Sequence, residues 1–170
     1  LPWWTYSQCI AWGCAKALIE QGAEVIYTYQ NERMKKQLDK LVPENSFMVE
    51  CDASSDESIE NAFQQIGENA GEIHGIVNAI ASANKEDLSG DILNISREGF
   101  ALAQDISAYS LIAVTKYAKP ILAPNSGIVT MSYLGAERAV PNYNMMGIAK
   151  AALEAEVRYL AAELSPQGIR

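Results

Sequence analysis

Residues 126–161 read SGIVTMSYLGAERAVPNYNMMGIAKAALEAEVRYLA, an apolar run followed by a Gly- and Pro-containing loop and a long helical pattern. The run SGIVTMS predicts a buried strand, and the residues from about Tyr143 to Leu164 predict a helix. Open sheets of parallel strands bind ligands where a strand ends and the next helix begins. This stretch therefore predicts an α/β fold with a ligand crevice at the loop between strand and helix.

Tyr143 and Lys150 lie seven residues apart, which is about two helical turns. A helix that starts near Asn142 places both side chains on one face, with the lysine a layer below the phenol. An ammonium within about 6 Å lowers the pKa of a phenol, which is near 10 when free. Such a phenol suits hydrogen bonding to a carbonyl oxygen that gains negative charge. The pair alone is a weak signal, because a structural role explains most such pairs.

Strand and helix patterns alternate along the rest of the chain. The predicted strands are AEVIYTY (23–29), FMVEC (47–51), IHGIVNAIA (73–81) and GIVTMS (127–132), and the predicted helices before Tyr143 cover about 10–21, 32–41, 55–68 and 97–121. Strands that alternate with helices imply a parallel sheet covered on both faces. No linker or internal repeat is visible, so we expect residues 1–170 to form a single domain.

Composition narrows the class of protein. A net charge of −8 disfavours nucleic acid as a partner, and no apolar run reaches the roughly 18 residues needed to span a bilayer. The N-terminus lacks a signal-peptide pattern, so we expect a cytoplasmic protein. Cys9, Cys14 and Cys51 are odd in number and lack C-x-x-C or zinc spacing, so reduced thiols are expected. His74 is the single histidine, and no metal site is expected.

Tyr-x6-Lys after such a strand resembles the signature of short-chain dehydrogenases and reductases. Tyr133, the run YLGAERAVPNYN and the following MGIAKAALEA are similar to the NADH-dependent enoyl-[acyl-carrier-protein] reductases of bacterial type II fatty acid synthesis. The likeness runs from about Ile10 to Arg170, through IAWGCAKAL, VIYTYQNER, CDASSDESI and REGFALAQDISAYSL. Ordinary members of the superfamily carry a serine where this chain has Thr130. The resemblance implies a Rossmann-like, doubly wound parallel sheet.

The resemblance also implies a reaction. Tyr143 hydrogen-bonds the thioester carbonyl as hydride passes from NADH to the β-carbon, Lys150 holds the nicotinamide ribose, and Tyr133 lines the pocket and assists protonation. The substrate is then a trans-2-enoyl chain on acyl carrier protein, and the long helices pair in a homotetramer. Two alternatives stay open: a short-chain reductase acting on a ketone or 3-ketoacyl thioester, or a catalytically silent fragment. Tyr133 and the missing serine argue against the ketone reductase.

Further positions match cofactor or substrate contacts of the family. They are Ile10 at the cofactor, Gln30 beside the adenosine ribose, Asp52 and Ala53 around the adenine, Ile80 near the nicotinamide and Ala83 at the acyl substrate. Because neither Gln30 nor Asn31 supplies charge for a 2′-phosphate, NADH is expected rather than NADPH.

Other positions depart from the family pattern. Ser82 stands where many relatives have phenylalanine, Cys9 replaces a serine, and Trp3 takes the place of a loop glycine. Residues 1–9 therefore form an atypical N-terminal segment, and we expect an interior part of a longer reductase, with an incomplete sheet that lacks the first strand and the C-terminal strands. We also expect the 170-residue chain alone to bind NADH poorly and to leave enoyl thioesters unreduced.

Overall fold

A computed structural model describes residues 9–170 of the chain. The chain divides into two compact units, the first ending at Gly71 and the second running from Glu72 to Arg170. Two sequence predictions, the replacement of a loop glycine by Trp3 and the lack of a first strand, concern positions outside the described residues. None of the described helices is both long and apolar enough to cross a membrane.

The first unit alternates helices with two short parallel strands. Its elements are α1 (Ile10–Glu20), β1 (Tyr27–Tyr29), α2 (Glu32–Leu38), β2 (Met48–Glu50) and α3 (Asp56–Ala70). Strand β1 pairs with β2 so that Tyr27 lies opposite Met48. Ser55 caps α3 by accepting a hydrogen bond from the backbone of Ser58, and this pairing satisfies one of the free donors at the helix start. The buried Val49 and Ile59 belong to the core of this unit.

The second unit carries the longer strands and helices. Its elements are β3 (Ile73–Asn78), α4 (Arg97–Gln104), a π-helical turn (Asp105–Tyr109), α5 (Ser110–Ala118), β4 (Leu122–Thr130) and α6 (Asn144–Leu164). Strand β3 pairs in parallel with β4, so that Asn78 lies opposite Thr130. The carboxyl ends of both strands therefore lie side by side.

Packing between α5 and α6 fixes the position of the loop that follows β4. Leu111 of α5 and Leu153 of α6 are both 1% exposed and form one cluster with Ala108. Ile128 of β4 packs against this cluster. A fully buried leucine side chain stabilises a fold by about 1.5–3 kcal/mol, so these contacts hold α6 firmly beside β4.

The α/β class and the parallel pairing of strands are confirmed, whereas several element bounds differ from the prediction. The strand predicted at 23–29 begins only at Tyr27. The residues predicted as one helix at 97–121 are helical throughout. They form α4, the π-helical turn, α5 and a 3₁₀ turn at Lys119–Ile121 in succession. Helix α6 begins at Asn144, so Tyr143 precedes the helix rather than lying in it.

Candidate active site

The loop between β4 and α6 brings two phenol rings together. Tyr133 follows the end of β4, and Tyr143 occupies the N-cap of α6 with φ −128° and ψ 3°. The ring centroids lie 4.6 Å apart at an interplanar angle of 61°, an edge-to-face contact. Tyr133 is 49% exposed and Tyr143 is half-buried. Tyr133 is therefore the more accessible of the two rings.

Lys150 connects α6 to the backbone at the end of β4. The lysine is 5% exposed, and its Nζ donates a hydrogen bond of 2.7 Å to the carbonyl oxygen of Met131. Burial lowers the pKa of the Lys150 ammonium. An ammonium carries three donors, so the bond to Met131 leaves capacity for a further acceptor such as a sugar hydroxyl.

The pKa of Tyr143 is raised, first by burial and then by the neighbouring Tyr133. The expectation that Lys150 lowers this pKa is therefore wrong in direction. The physical reason is desolvation, because burial disfavours the charged form of the phenol. The spacing of Tyr143 and Lys150 carries no information about burial. Tyr143 is consequently a neutral phenol at pH 7, and its O–H is a hydrogen-bond donor.

Thr130 joins the carboxyl ends of the two paired strands. Its hydroxyl donates to the carbonyl oxygen of Asn78 at 3.1 Å and lies 3.4 Å from the Asn78 amide nitrogen. By the family resemblance, Thr130 stands where ordinary short-chain reductases carry a serine. The observed contact gives the Thr130 hydroxyl a partner within the sheet. Thr130 is the last residue of β4, directly before the loop that carries Tyr133.

The loop after β3 is held by the π-helical turn. Ser107 is 1% exposed; its Oγ accepts a 2.9 Å hydrogen bond from the Ser82 amide and donates a 2.8 Å bond to the Ser82 carbonyl. Ile80 and Ala83 lie on either side of Ser82, beyond the end of β3 rather than in a strand that reaches residue 81. A π-helical turn often marks a functional site. The buried Ser107 hydroxyl thus anchors the loop between the residues matched to nicotinamide and acyl contacts.

The start of α6 is bonded to the same loop further along the chain. The Asn144 side chain donates to the Gly90 carbonyl at 3.1 Å, and the Met145 amide donates to the Asp87 carbonyl at 3.4 Å. The buried Asp87 carboxylate accepts a 3.0 Å hydrogen bond from the Asn84 side chain. These contacts link the loop that carries Ala83 to the helix start beside Tyr143.

In the first unit, the residues matched to the adenosine end lie where β1 and β2 finish. The Gln30 side-chain amide lies 3.4 Å from Asp52 Oδ1, which also accepts bonds of 3.0 and 2.7 Å from the Ser54 amide and hydroxyl. These bonds, chiefly the one from the Ser54 backbone, lower the pKa of Asp52. Ala53 follows in the same turn, whereas Ile10 is 67% exposed at the first residue of α1.

Sequence reasoning missed several residues of this site. Ser107, Gly135, Gly147 and the Ser132–Glu154 side-chain pair all contact the loops described above or the tyrosines. Gly147 carried a readable signal, because glycine inside a helix costs up to about 1 kcal/mol relative to alanine and usually marks a close approach. Ser107 carried none, since its partner lies 25 residues away.

Comparison with known proteins places the chain among reductases. A family model described as Enoyl-(Acyl carrier protein) reductase matches residues 5–170. The chain is 66% identical over 161 residues to the enoyl-[acyl-carrier-protein] reductase [NADH] of Enterococcus faecalis, covering 95% of this chain and 64% of that protein. It is 48% identical over 165 residues to the enoyl-[acyl-carrier-protein] reductase [NADPH] of Staphylococcus aureus, with the same two coverages. The chain thus spans 64% of the length of these relatives.

Solved structures agree with the sequence comparison. The enoyl-[acyl-carrier-protein] reductase (NADH) of Aquifex aeolicus superposes with a TM-score of 0.93 at 44% identity, covering 96% of this chain and 73% of that one. The Bacillus cereus reductase with NADP+ and indole naphthyridinone gives a TM-score of 0.91 at 45% identity, covering 96% and 65%. Because the family model covers almost the whole sequence, the chain belongs to the enoyl-(acyl carrier protein) reductase family.

Proposed function

We propose that this protein takes part in type II fatty acid synthesis by reducing trans-2-enoyl thioesters on acyl carrier protein with NADH. The observation that carries the proposal is the edge-to-face contact of Tyr133 with Tyr143 beside the buried Lys150. By the family resemblance, a second tyrosine at this place favours an enoyl reductase over a ketone reductase.

The chemistry of the described residues fits a bound dinucleotide. Asp52 has a lowered pKa and stays ionised at neutral pH, so it can accept a hydrogen bond from the exocyclic amine of adenine. Gln30 lies within reach of Asp52 at the carboxyl ends of adjacent parallel strands, where open α/β folds bind ligands. In the second unit, Lys150 retains donors that suit ribose hydroxyls.

Bound NADH would supply a hydride to the β-carbon of the substrate. Tyr143 donates its O–H to the thioester carbonyl oxygen. A tyrosine phenol has a pKa near 10 when free and is protonated at pH 7, and burial raises the pKa of Tyr143 further. That hydrogen bond strengthens as the oxygen gains negative charge, which is how a positioned donor lowers a barrier. Tyr133 lies against the Tyr143 ring and forms the outer wall, and Ala83 offers its backbone to the acyl chain.

We favour NADH because neither Gln30 nor Asn31, which follow β1, carries a charge for a 2′-phosphate. Asn31 uses its side-chain oxygen to cap α2, accepting a 3.1 Å bond from Met34. The nearest lysine downstream, Lys35, lies 3.9 Å from Glu32 and 5.5 Å from the Tyr29 ring centroid. Lys35 therefore already has weak partners on α2 and β1.

We also propose a homotetramer located in the cytoplasm. Helices α4 and α6 and the π-helical turn expose large apolar side chains that a monomer leaves in water, namely Phe100, Leu102, Tyr109 and Val157. A helix that is apolar beyond one stripe buries the remainder against a partner. Sedimentation that shows only monomer would reject this part of the proposal.

The test uses an extended protein, in which the corresponding N- and C-terminal segments of the Enterococcus faecalis relative flank residues 9–170. We expect Tyr143→Phe to lower turnover of an enoyl thioester about 100-fold while NADH affinity changes little, because one oxyanion donor is lost. Tyr159→Phe is the matched control, since Tyr159 lies on the same helix and is 81% exposed. Unchanged turnover in Tyr143→Phe contradicts the assignment, and faster reduction of a 3-ketoacyl thioester than of an enoyl thioester favours the ketone-reductase alternative.

A further inference from the structure

One face of α6 touches the loop after β4 at three successive turns. Gly147, Lys150 and Glu154 are spaced by three and four residues, which places them on the same side of the helix. Gly147 meets the backbone of Gly135, Lys150 binds the Met131 carbonyl, and Glu154 accepts a hydrogen bond from the Ser132 hydroxyl. These contacts lie on both sides of Tyr133 in the chain.

The contact between the two glycines leaves no room for a side chain. A Cβ on Gly135 would lie 2.5 Å from Tyr143 Cδ1 and 2.9 Å from Cε1. A Cβ on Gly147 would lie 2.8 Å from the Gly135 carbonyl oxygen. All three distances are far inside van der Waals contact. The Tyr143 ring therefore packs directly on the backbone of the loop that carries Tyr133.

Glycine at position 147 destabilises α6 relative to alanine. Inside a helix it costs up to about 1 kcal/mol relative to alanine, and Gly147 lies within the first turns of a 21-residue helix. Neither Gly135 nor Gly147 has a positive φ, so backbone conformation does not require glycine at these two positions. Close approach is the remaining reason for the absence of a side chain.

We infer that Gly135, Gly147 and the Ser132–Glu154 pair are positioning residues that hold the Tyr143 and Tyr133 rings in the geometry needed for reduction. This inference rests on the proposed function, because it assigns these residues to the same reaction. None of the four touches a reacting atom; each acts through the tyrosines. A displacement of about 1 Å at a reacting group can cost about 100-fold in rate, so small shifts of the phenol matter.

The first experiment places Gly135→Ala in the extended protein and combines it with Tyr143→Phe. We expect Gly135→Ala to lower kcat for an enoyl thioester at least tenfold while the KM for NADH stays within twofold. In the Tyr143→Phe background the same substitution should change kcat less than twofold, because residues that act as a unit are not additive. Losses that multiply would overturn the inference. Gly13→Ala is the control, since a Cβ at Gly13 meets nothing within 4 Å.

A second pair of variants covers the case in which Gly135→Ala does not fold. Ser132 is exposed, so Ser132→Ala and Glu154→Ala should leave the fold intact by far-UV circular dichroism. We expect each to lower kcat three- to tenfold, the double variant to be no worse than either single one, and Glu154→Gln to recover most of the activity by keeping an acceptor oxygen. Full activity in Ser132→Ala would exclude this pair from the positioning role.

A readout without catalysis separates this inference from the proposed function. In the 170-residue chain labelled with [13Cζ]tyrosine, the Tyr143 resonance is identified by its loss in Tyr143→Phe. Burial and Tyr133 raise the pKa of Tyr143, so displacing the ring in Gly135→Ala should move its titration midpoint toward the ordinary value near 10. A shifted midpoint with no effect of Tyr143→Phe on turnover supports positioning and rejects the proposed role of Tyr143. An unshifted midpoint rejects the positioning role itself.

Discussion

Replacing Ser107 by alanine removes the hydroxyl that binds both backbone groups of Ser82. The side chain is 1% exposed, and its two hydrogen bonds measure 2.9 and 2.8 Å. Leaving a buried donor or acceptor unpaired costs about 1–3 kcal/mol. Ser82 is itself exposed, so water reaches part of these groups and the low end applies. Two groups at about 1 kcal/mol each predict a loss of about 2 kcal/mol in the free energy of unfolding.

That loss is measurable because a domain is stable by only about 5–15 kcal/mol. With a urea m-value of about 2 kcal/mol/M, Ser107→Ala should lower the unfolding midpoint by about 1 M. Far-UV circular dichroism reports the midpoint, and hydrogen exchange of the Ser82 amide reports the local opening. Exchange should accelerate at Ser82 more than at the amides of β4.

Ser110 supplies a matched control three residues further along the chain. It is also 1% exposed, yet its hydroxyl has no hydrogen-bond partner among residues 9–170. Ser110→Ala therefore strips no partner from another group, and the free energy of unfolding should change by less than about 0.5 kcal/mol or rise slightly. If Ser107→Ala and Ser110→Ala shift the midpoint equally, the two hydrogen bonds contribute nothing specific and the reasoning fails.

Three further outcomes are expected. Lys150→Ala should weaken NADH binding to the extended protein at least tenfold in a fluorescence titration, because it removes the proposed ribose donor; unchanged affinity would contradict that role. The kcat/KM of the extended protein with NADH should exceed that with NADPH in side-by-side assays, since Gln30 and Asn31 are uncharged, and the reverse order would overturn the assignment. Burial, aided by the charge of Asp52, raises the pKa of Cys51 from 9.0 to about 11. Alkylation of Cys51 should therefore reach half its maximal rate near pH 11. The contribution of the protonated Cys51 thiol to the free energy of unfolding is present below pH 9 and should be lost between pH 9 and 11. An alkylation midpoint near pH 9, or a Cys51→Ser variant with the same alkaline loss of stability, would refute this.

The sequence predicted elements better than their ends or interiors. Apolar periodicity located α6, but the exact start of the helix depends on the loop contacts of Asn144 and Met145, which no local pattern encodes. The run AEVIYTY looked like one strand, yet only Tyr27–Tyr29 finds a ladder partner in β2. No local sequence pattern predicted the π-helical turn, because Ser107 bonds to Ser82, 25 residues away.

The candidate site shows the same division between identity and environment. Residue spacing located Tyr143 and Lys150, the family resemblance added Tyr133, and the structure places the two rings in contact. Spacing suggested a nearby charge but gave no measure of desolvation, so the direction of the Tyr143 pKa shift was wrong. The glycine contact was likewise hidden, since it requires knowing which loop lies over which turn of the helix.

The division of the chain at Gly71 places the residues proposed for cofactor preference and those proposed for the reaction in different units. The residues matched to the adenosine end, Gln30 and Asp52, lie in the first unit, whereas Tyr133, Tyr143 and Lys150 all lie in the second. Under the proposed roles, selection for a different dinucleotide acts on the first unit and leaves the tyrosines untouched. Cofactor preference can therefore diverge between species while the reaction is inherited unchanged, and recombination near residue 71 would exchange one trait without the other.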